Sequence, residues 1–425
     1  MIAVMLGITP LIASCGAGTA SWREPGDAQR DQAPNITITQ PADNAADVPT
    51  STEIEYTASD ATESSVELFQ LPPAAADASA PASAAPSAGA SATPSAGQVA
   101  VPGTLRADGS SWVAAKQLKY STRYTAKVTA TVKGKKQSKA ITFTTMAKPS
   151  STLRVSSVIG DDQVVGVGMP VIIKLGGDVP KDQRAAVQRR LFVTAEPAQE
   201  GIWHWFNGHE VHFRPREYWQ ANTKLSFRAA LGGLPLGNDR YGANDITVSA
   251  KIGPQLIMAI DNRTKQMTVT ENGTVLKTIP VSLGKPSSPS ASGHLVIMAK
   301  NQEEWFDSST YGVPADSTDG YRTLVQFTQR LTWDGEYIHA APWSVGDQGR
   351  RNVSHGCTNI SGPDAEWLFG ITHIGDPVTI THTEEHVTWG NGYTDWDISY
   401  AEYAKGSALP PPSQSASASP LPSQS

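Results

Sequence analysis

Short runs of alternating apolar and polar residues, separated by Gly, Pro, Asn and Asp, make up most of this 425-residue sequence. From Asn35 onward, NITITQP, EIEYTAS, YTAKVTATV and KAITFTTM each repeat their apolar residues with a period of two. Such runs are typical of half-buried strands, and their close spacing predicts a small β-sandwich over residues 35–149. The 36 Gly and 30 Pro also favour turn-rich β domains over long helices.

A second series of this kind covers residues 150–253 and contains MPVIIKL, RLFVTAEP, GIWHWFNGHEVHFRP and DITVSAKI. It predicts a second β-rich domain, with a type I′ hairpin turn at Asn207-Gly208. The hairpin also carries three histidines. In a regular hairpin His209 and His212 would face opposite sides of their strand, and no carboxylate completes a metal site. We therefore interpret this group as structural; it consists of His204, His209 and His212.

From Pro254 the pattern changes to longer hairpins, with turns predicted at Asp261-Asn262 and at Glu271-Asn272-Gly273. One helix is predicted over residues 362–371, because Pro363 suits a first turn and acidic residues stand near its N-terminus. We expect residues 254–383 to form a mostly antiparallel β domain with this one short helix. Residues 384–405 hold two Trp and two Tyr and are predicted to dock as a small C-terminal subdomain.

Four segments lack the residues of a folded core. The insertion 72–98 and the tail 406–425 contain almost no bulky apolar residue and are predicted to be disordered. Residues 16–34 are small and polar and are predicted to form a flexible tether. Residues 1–15 are apolar but too short to cross a bilayer as a stable helix, and they fit a secretory signal peptide.

The sequence Leu11-Ile12-Ala13-Ser14-Cys15 resembles a bacterial lipobox, in which the cysteine becomes diacylated and N-terminal. The departure is the lack of Lys or Arg near Met1. The resemblance implies a protein that is exported and anchored by lipid at Cys15 to the outer face of the cell membrane. A free thiol or a plain signal peptide is the alternative.

The charge balance argues against a nucleic-acid partner. The chain has 34 basic and 40 acidic residues, a formal net charge of -6, and no basic stripe. Its surface is expected to be mildly acidic.

Cysteine is scarce, since Cys357 and Cys15 are the two in the sequence. A thiol becomes a good nucleophile when an imidazole takes its proton and leaves a thiolate with a lowered pKa. If the segment is extended, His355 lies on the same face as Cys357; His339 lies 18 residues earlier in a predicted strand. Geometry alone leaves both as candidate bases, and the thiol could instead be a small buried hydrophobe. Gly356 would let amide groups turn toward an oxyanion.

The segment IHAAPWSVGDQGRRNVSHGCTNIS resembles the signature of YkuD-type L,D-transpeptidases, in which a histidine precedes S-H-G-C. VSLGKPSSPSASG is similar to the family's V-S-x-G-K and P-T-x-x-G segments, with Ser290 where Thr is usual. SSTYGVPADSTDGYRT resembles its active-site flap, and WGNGYTDWDISYAEY the C-terminal subdomain of actinobacterial members with two Ig-like domains. The resemblance covers roughly residues 35–405. The residues that match the signature in order and spacing are His339, Ser354, His355, Gly356, Cys357 and Asn359.

The resemblance implies a role for each matching residue. Cys357 is the nucleophile and His339 its base, oriented by the main-chain carbonyl of Ala340. His355 and Gly356 form the acyl-binding wall, and the Cys357 amide is an oxyanion donor. The implied substrate-binding residues, of which the last two also hold the loop, are Tyr311, Tyr321, Trp343, Ser354 and Asn359.

The implied reaction is peptidoglycan cross-linking. The thiol attacks the carbonyl of the third residue of a tetrapeptide stem, releases D-Ala and passes the acyl group to a diamino acid of a second stem as a 3→3 link. The implied partners are these stem peptides and, as inhibitors, β-lactams of the carbapenem type, with no metal or cofactor. Alternatives on the same site are L,D-carboxypeptidase activity and attachment of a protein amine. A non-catalytic cell-wall-binding lipoprotein and a zinc site from His339, His355 and Cys357 are further alternatives.

Overall fold

The structure, a computed structural model, describes residues 36–73, 97–106, 109, 111–311, 314, 316–317, 320 and 322–410. Several predictions therefore lie outside the described residues: the signal peptide, the lipobox cysteine Cys15, the tether, most of the insertion and the tail beyond residue 410. Tyr321 and the side chain of Tyr311 also lie outside them. Within the described part of the chain, no helix is long and apolar enough to span a membrane.

The first domain is a two-sheet sandwich. Its strands are β1 (Ile36–Gln40), β2 (Ala45–Val48), β3 (Glu53–Ala58), β4 (Ala61–Gln70), β5 (Val99–Val101), β6 (Gly103–Leu105), β7 (Ser111–Ala114), β8 (Arg123–Val132) and β9 (Lys135–Thr145). The sheet orders are β1-β3-β7-β6 and β2-β9-β8-β4-β5. Along the whole length of strand β8, buried residues alternate with exposed or half-buried ones, so one face of the strand packs against the core. In this core the ring of Tyr124 stacks on that of Phe143. The insertion connects β4 and β5, which pair antiparallel.

The second domain is another sandwich, with a helix at its edge. It contains β10 (Thr152–Leu153), β11 (Val155–Ser157), β12 (Val164–Val165), β13 (Val171–Leu175), α1 (Arg184–Gln188), β14 (Leu191–Glu196), β15 (Gly201–Trp205), β16 (Glu210–Pro215), β17 (Lys224–Ala229), β18 (Tyr241–Gly242) and β19 (Ile246–Ile252). Its main sheets have the orders β11-β13-β16-β15 and β12-β19-β17-β14. The fully buried Trp219 lies in this core.

The third domain contains two more sheets and a helix. Its elements, with those of the C-terminal subdomain, are β20 (Leu256–Asp261), β21 (Gln266–Glu271), β22 (Thr274–Pro280), β23 (Ala291–Val296), β24 (Ala299–Asp307), β25 (Arg322–Arg330), β26 (Tyr337–Ala340), β27 (Thr358–Ile360), α2 (Gly362–Ile371), β28 (Pro377–Thr381), β29 (Glu385–His386) and α3 (Tyr400–Ala404). The sheet orders are β22-β21-β20-β28-β23-β29 and β24-β25-β26-β27. Their apolar faces enclose one core with helix α2. The expected β-rich fold is thus confirmed.

Local signals in the sequence had mixed outcomes. The predicted helix is α2, and the side chain of Ser361 caps it by accepting from the Asp364 N–H. The turn at Asn272-Gly273 has φ values of 49° and 80°, as a type I′ turn requires. The type I′ prediction at Asn207-Gly208 was wrong, because neither residue has a positive φ. That connection is wider, and the Asn207 side chain accepts from the His209 N–H.

The C-terminal segment is bound to the second sandwich by a buried polar cluster. His212 on β16 contacts Asp395 through Nδ1 at 2.9 Å and Glu210 through Nε2 at 2.8 Å. The Tyr403 hydroxyl donates to the same Asp395 oxygen at 2.8 Å. His204 donates through Nδ1 to the Tyr403 carbonyl at 2.7 Å, so two of the three hairpin histidines hold the C-terminal subdomain.

The first residues of the predicted disordered tail, 406–410, are docked in the structure. The Trp205 N–H donates to the Gly406 carbonyl at 2.9 Å, and the Gln188 side chain binds Ser407 and the Ala408 N–H. Residues 406–410 therefore continue the docked segment, because their backbone polar groups find partners on the second sandwich.

Candidate active site

Two neighbouring parallel strands bring Cys357 and His339 to one place. Strand β26 pairs with β27 so that His339 lies opposite Asn359, and Cys357 immediately precedes β27. The ring of Phe306, on strand β24, lies near both residues. It makes an edge contact with the His339 ring at 5.3 Å between centroids, and Cys357 packs against the small cluster that Phe306 forms with Val325 and Tyr337.

His339 is buried with one ring nitrogen occupied. Its Nδ1 lies 2.9 Å from the carbonyl oxygen of Ala340. A carbonyl oxygen only accepts, so Nδ1 carries the hydrogen and Nε2 keeps the lone pair of a neutral imidazole. Burial lowers the pKa of His339 to about 4, against a smaller opposite effect of the Ala340 carbonyl. The imidazole is therefore an uncharged base at neutral pH.

The thiol of Cys357 is also neutral in this structure. The residue is half-buried, and its Sγ donates to the carbonyl oxygen of Gly335 at 3.6 Å. Burial of the sulfur raises the pKa of the Cys357 thiol to about 12, and the charges of Glu336 and Glu304 act in the same direction. The free protein therefore holds a neutral thiol and not a thiolate with a lowered pKa.

The segment before Cys357 is a tight turn and is not extended. Gly356 has a φ of 123°, a value that residues with a Cβ rarely adopt. Ser354 closes the turn: its hydroxyl donates to the Cys357 carbonyl at 2.6 Å and accepts from the Gly356 N–H at 3.2 Å. The turn leaves His355 exposed, with Nε2 2.9 Å from the Nζ of Lys285. His355 therefore does not share a face with Cys357.

The other predicted substrate contacts divide into two groups. Ser354 and Asn359 are buried, and the Asn359 amide donates to the Ser344 hydroxyl at 3.2 Å, so both hold the loop. Trp343 is 60% exposed on the short helix Pro342–Ser344, with its ring 6.1 Å from that of His339. The backbone of Tyr311 lies in the short helix Ser308–Tyr311, at the end of the β24–β25 hairpin.

Two further residues support the site, and no prediction from the sequence included them. Ser290 is buried, accepts from the Gly284 N–H at 2.9 Å and donates to the Gly356 carbonyl, so it supports the turn from outside. The sequence feature that points to Ser290 is its position in VSLGKPSSPSASG, the segment that resembles the family. Glu336 is half-buried beside Gly335, and its only sequence signal was a charged residue directly before the apolar strand β26.

Among the described residues, no group of three or more His, Cys, Asp and Glu side chains is arranged to hold a metal ion. The two histidines of the zinc alternative have other partners. His355 contacts Lys285, and Nδ1 of His339 donates to the Ala340 carbonyl. The three proposed ligands do not converge.

Family models match both parts of the chain. Residues 255–380 match the L,D-transpeptidase catalytic domain, and residues 89–235 match the bacterial Ig domain. The fold and the site therefore define an enzyme of the class in which Ig domains precede this catalytic domain.

Similar proteins give the same result. L,D-transpeptidase 2 of Mycobacterium tuberculosis is 36% identical over 307 residues, which cover 72% of this chain and 74% of that protein. L,D-transpeptidase 5 of the same organism is 33% identical over 320 residues, covering 73% and 68%. The chain belongs to the L,D-transpeptidase family, a family of acyltransferases.

Among solved structures, M. tuberculosis L,D-transpeptidase 3 with a faropenem-derived adduct is 29% identical and covers 53% of this chain and 97% of its own, with a TM-score of 0.46. An LD transpeptidase in complex with imipenem is 34% identical, with the same coverage and TM-score.

Proposed function

We propose that this protein forms 3→3 cross-links in peptidoglycan through an acyl-enzyme on Cys357. The observation that carries the proposal is the pairing of β26 with β27, which holds a neutral imidazole and a thiol around Phe306 in a chain of this family. His339 has its Nε2 lone pair available, because Ala340 occupies Nδ1.

In the proposed acylation the thiol proton moves to the leaving amine, and an S–C bond replaces the C–N bond to D-Ala. The Sγ of Cys357 attacks the carbonyl carbon of the third residue of a tetrapeptide stem while Nε2 of His339 takes the thiol proton. The C–N bond to D-Ala breaks, and the imidazolium returns the proton to the leaving amine. Attack concerted with proton transfer fits a thiol whose pKa is about 12 and an imidazole whose pKa is about 4, since neither is ionised beforehand.

In the second step, the side-chain amine of a diamino acid on another stem attacks the thioester. His339 accepts the amine's proton and passes it to the departing sulfur, which restores the neutral thiol. We assign the Cys357 amide as an oxyanion donor, because the Gly356 N–H is occupied by Ser354. Trp343, Tyr311 and Tyr321 are the proposed substrate contacts.

The same site is proposed to react with β-lactams of the carbapenem type. Their strained carbonyl would acylate Cys357 by the first step, and a shielded thioester would then persist. Family membership supports this proposal, since relatives have been solved with imipenem and with a faropenem-derived adduct.

The test is a reaction of the purified protein with a disaccharide tetrapeptide, followed by mass spectrometry. We expect a cross-linked dimer with loss of one D-Ala from wild type and no product from Cys357→Ala. Tripeptide without dimer would establish a carboxypeptidase instead. A protein that gives neither product, and no adduct mass with a carbapenem, would be a non-catalytic wall-binding protein.

We further propose that lipid on Cys15 anchors the protein outside the cell membrane. The lipobox-like sequence supports this. Radiolabelled palmitate supplied to growing cells should label wild type and not Cys15→Ala, and the variant should move from the membrane fraction to the medium. An unlabelled wild-type protein would exclude the anchor.

A further inference from the structure

Glu336 places a carboxyl group directly beside the turn that carries Cys357. It stands between Gly335, whose carbonyl accepts from the Cys357 thiol, and Tyr337, the first residue of β26. A Cβ built on Gly356 would lie 3.6 Å from the Glu336 Cγ, which shows that the glutamate chain packs along the bare side of Gly356. The carboxyl therefore belongs to the immediate surroundings of the thiol.

The two oxygens of this carboxyl are in different situations. Oε1 accepts from the Ala291 N–H at 2.9 Å. Oε2 is buried and has no hydrogen-bond partner among the described residues. A buried carboxylate with one amide bond and no cation is expensive to keep ionised, whereas a carboxylic acid is much cheaper to bury.

The groups that act on this carboxyl are all neutral or negative. Asp334 on the same loop and the exposed Glu385 on β29 both oppose its ionisation. The charge of Glu304 on β24 acts on Cys357, and the neighbouring His339 is neutral. Burial, with these charges, raises the pKa of Glu336 to about 8, against the lowering effect of the Ala291 N–H.

We propose that Glu336 is a positioning residue for the nucleophile: as a neutral acid it supports the Gly335 and Gly356 backbone around Cys357, and when it ionises its charge opposes acylation. The inference rests on the proposed role of Cys357 as the nucleophile. Negative charge develops on the sulfur and on the oxyanion during attack, so a second negative charge in the same poorly solvated place slows the reaction. Glu336 thereby sets an alkaline limit on the enzyme.

The test is the rate of acylation by a carbapenem, followed by the loss of β-lactam absorbance in a stopped-flow instrument, for the whole protein and for Glu336→Gln. Glutamine keeps an acceptor for the Ala291 N–H but does not ionise. We expect the ratio of variant to wild-type rate to rise by at least about fivefold between about pH 6.5 and pH 9.5, with its midpoint near the pKa of the carboxyl.

The matched control is Glu384→Gln, which removes an exposed carboxylate close in sequence to Glu385. Its ratio to wild type is expected to stay constant over the same range within about twofold. A ratio for Glu336→Gln that is equally flat would overturn the proposal. A wild-type protein that is not acylated at any pH would instead refute the proposed function, so the two failures are distinct.

A second measurement does not depend on the variant's acylation rate. In wild-type protein carrying ¹³C-labelled glutamate, the carboxyl resonance affected by Glu336→Gln should titrate between about pH 7 and pH 9. Titration of that resonance below about pH 5 would show an ionised carboxylate at neutral pH and overturn the proposal.

Discussion

The thiol of Cys357 donates to the carbonyl oxygen of Gly335 at 3.6 Å and is not hydrogen-bonded to His339 in the described structure. Both members of the proposed catalytic pair are consequently neutral before substrate arrives. A buried thiolate–imidazolium pair would have a desolvation cost, and the neutral pair avoids this cost in the free protein. Charge then develops only when an acyl group is bound, where the site can stabilise the oxyanion. The free enzyme is expected to be a poor nucleophile toward reagents that do not fit the site.

Alkylation of Cys357 should be slow and should accelerate with pH. A pKa of about 12 leaves little thiolate at neutral pH. We expect iodoacetamide to react with Cys357 at least about 100-fold more slowly than with free cysteine at about pH 8. Peptide mass mapping measures the rate at each thiol, so Cys15 serves as an internal reference in unprocessed protein. An alkylation midpoint below neutral pH would contradict the neutral-thiol structure.

The two histidines near the thiol should differ greatly in importance. His339→Gln removes the unprotonated Nε2 and is expected to lower the acylation rate by roughly 100- to 10,000-fold. His355→Gln removes an exposed contact with Lys285 and should cost less than about tenfold. Stopped-flow acylation by a carbapenem measures both. Equal losses would show that His355 reaches the reacting atoms.

Gly356 is expected to tolerate no side chain. Gly356→Ala introduces a Cβ at a φ of 123°, although the nearest atom, at 3.6 Å, leaves room for it. The cost is therefore conformational, about 1–3 kcal/mol, and is measured by denaturant unfolding. The control is Gly370→Ala in α2, where nothing lies within 4 Å, and which should stabilise the protein by up to about 1 kcal/mol. A Gly356→Ala protein as stable and active as wild type would contradict the strained turn.

Ser290 should act through its hydroxyl. Ser290→Ala leaves the buried Gly284 N–H and the Gly356 carbonyl without this partner, which should destabilise the protein by about 1–3 kcal/mol and slow acylation. Ser290→Thr keeps the hydroxyl and should retain most of both. Thermal unfolding measures the stability of each variant, and stopped-flow acylation by a carbapenem measures its rate. Equivalent behaviour of the two variants would show that the hydroxyl is not what supports the turn.

His212 should make stability fall at alkaline pH. Burial by itself lowers its pKa, but Asp395 and Glu210 outweigh burial and raise the pKa to about 9. The folded protein therefore holds a proton that the unfolded chain releases near its ordinary pKa of 6.5. This contribution is complete below that value, declines as pH rises to about 9, and is on the order of 3 kcal/mol.

Urea unfolding at a series of pH values tests this. His212→Gln should be less stable than wild type at neutral pH, and this difference in the free energy of unfolding should shrink as pH rises from about 6.5 to about 9. The exposed His382→Gln should keep the wild-type dependence. A wild-type stability that does not change across this range would refute a protonated His212.

Much of the architecture could be predicted because its signals are local. The period of two along β8, the Pro363 and Ser361 start of α2 and the Asn272-Gly273 turn each depend on a few neighbouring residues. The Asn207-Gly208 prediction failed because strand pairing widened that connection. The turn preference of two neighbouring residues is overridden where the pairing of the flanking strands sets the register.

The β fold, the helix and, through the resemblance to a family, the candidate roles of Cys357 and His339 follow from local sequence patterns. The neutral thiol, the contact of His355 with Lys285, the contact of His212 with Asp395 and the carboxyl beside Gly356 become visible only in the folded chain. His212 and Asp395 are 183 positions apart in the chain. The physical reason is that desolvation and charge depend on which groups pack together in space, and no local pattern records that.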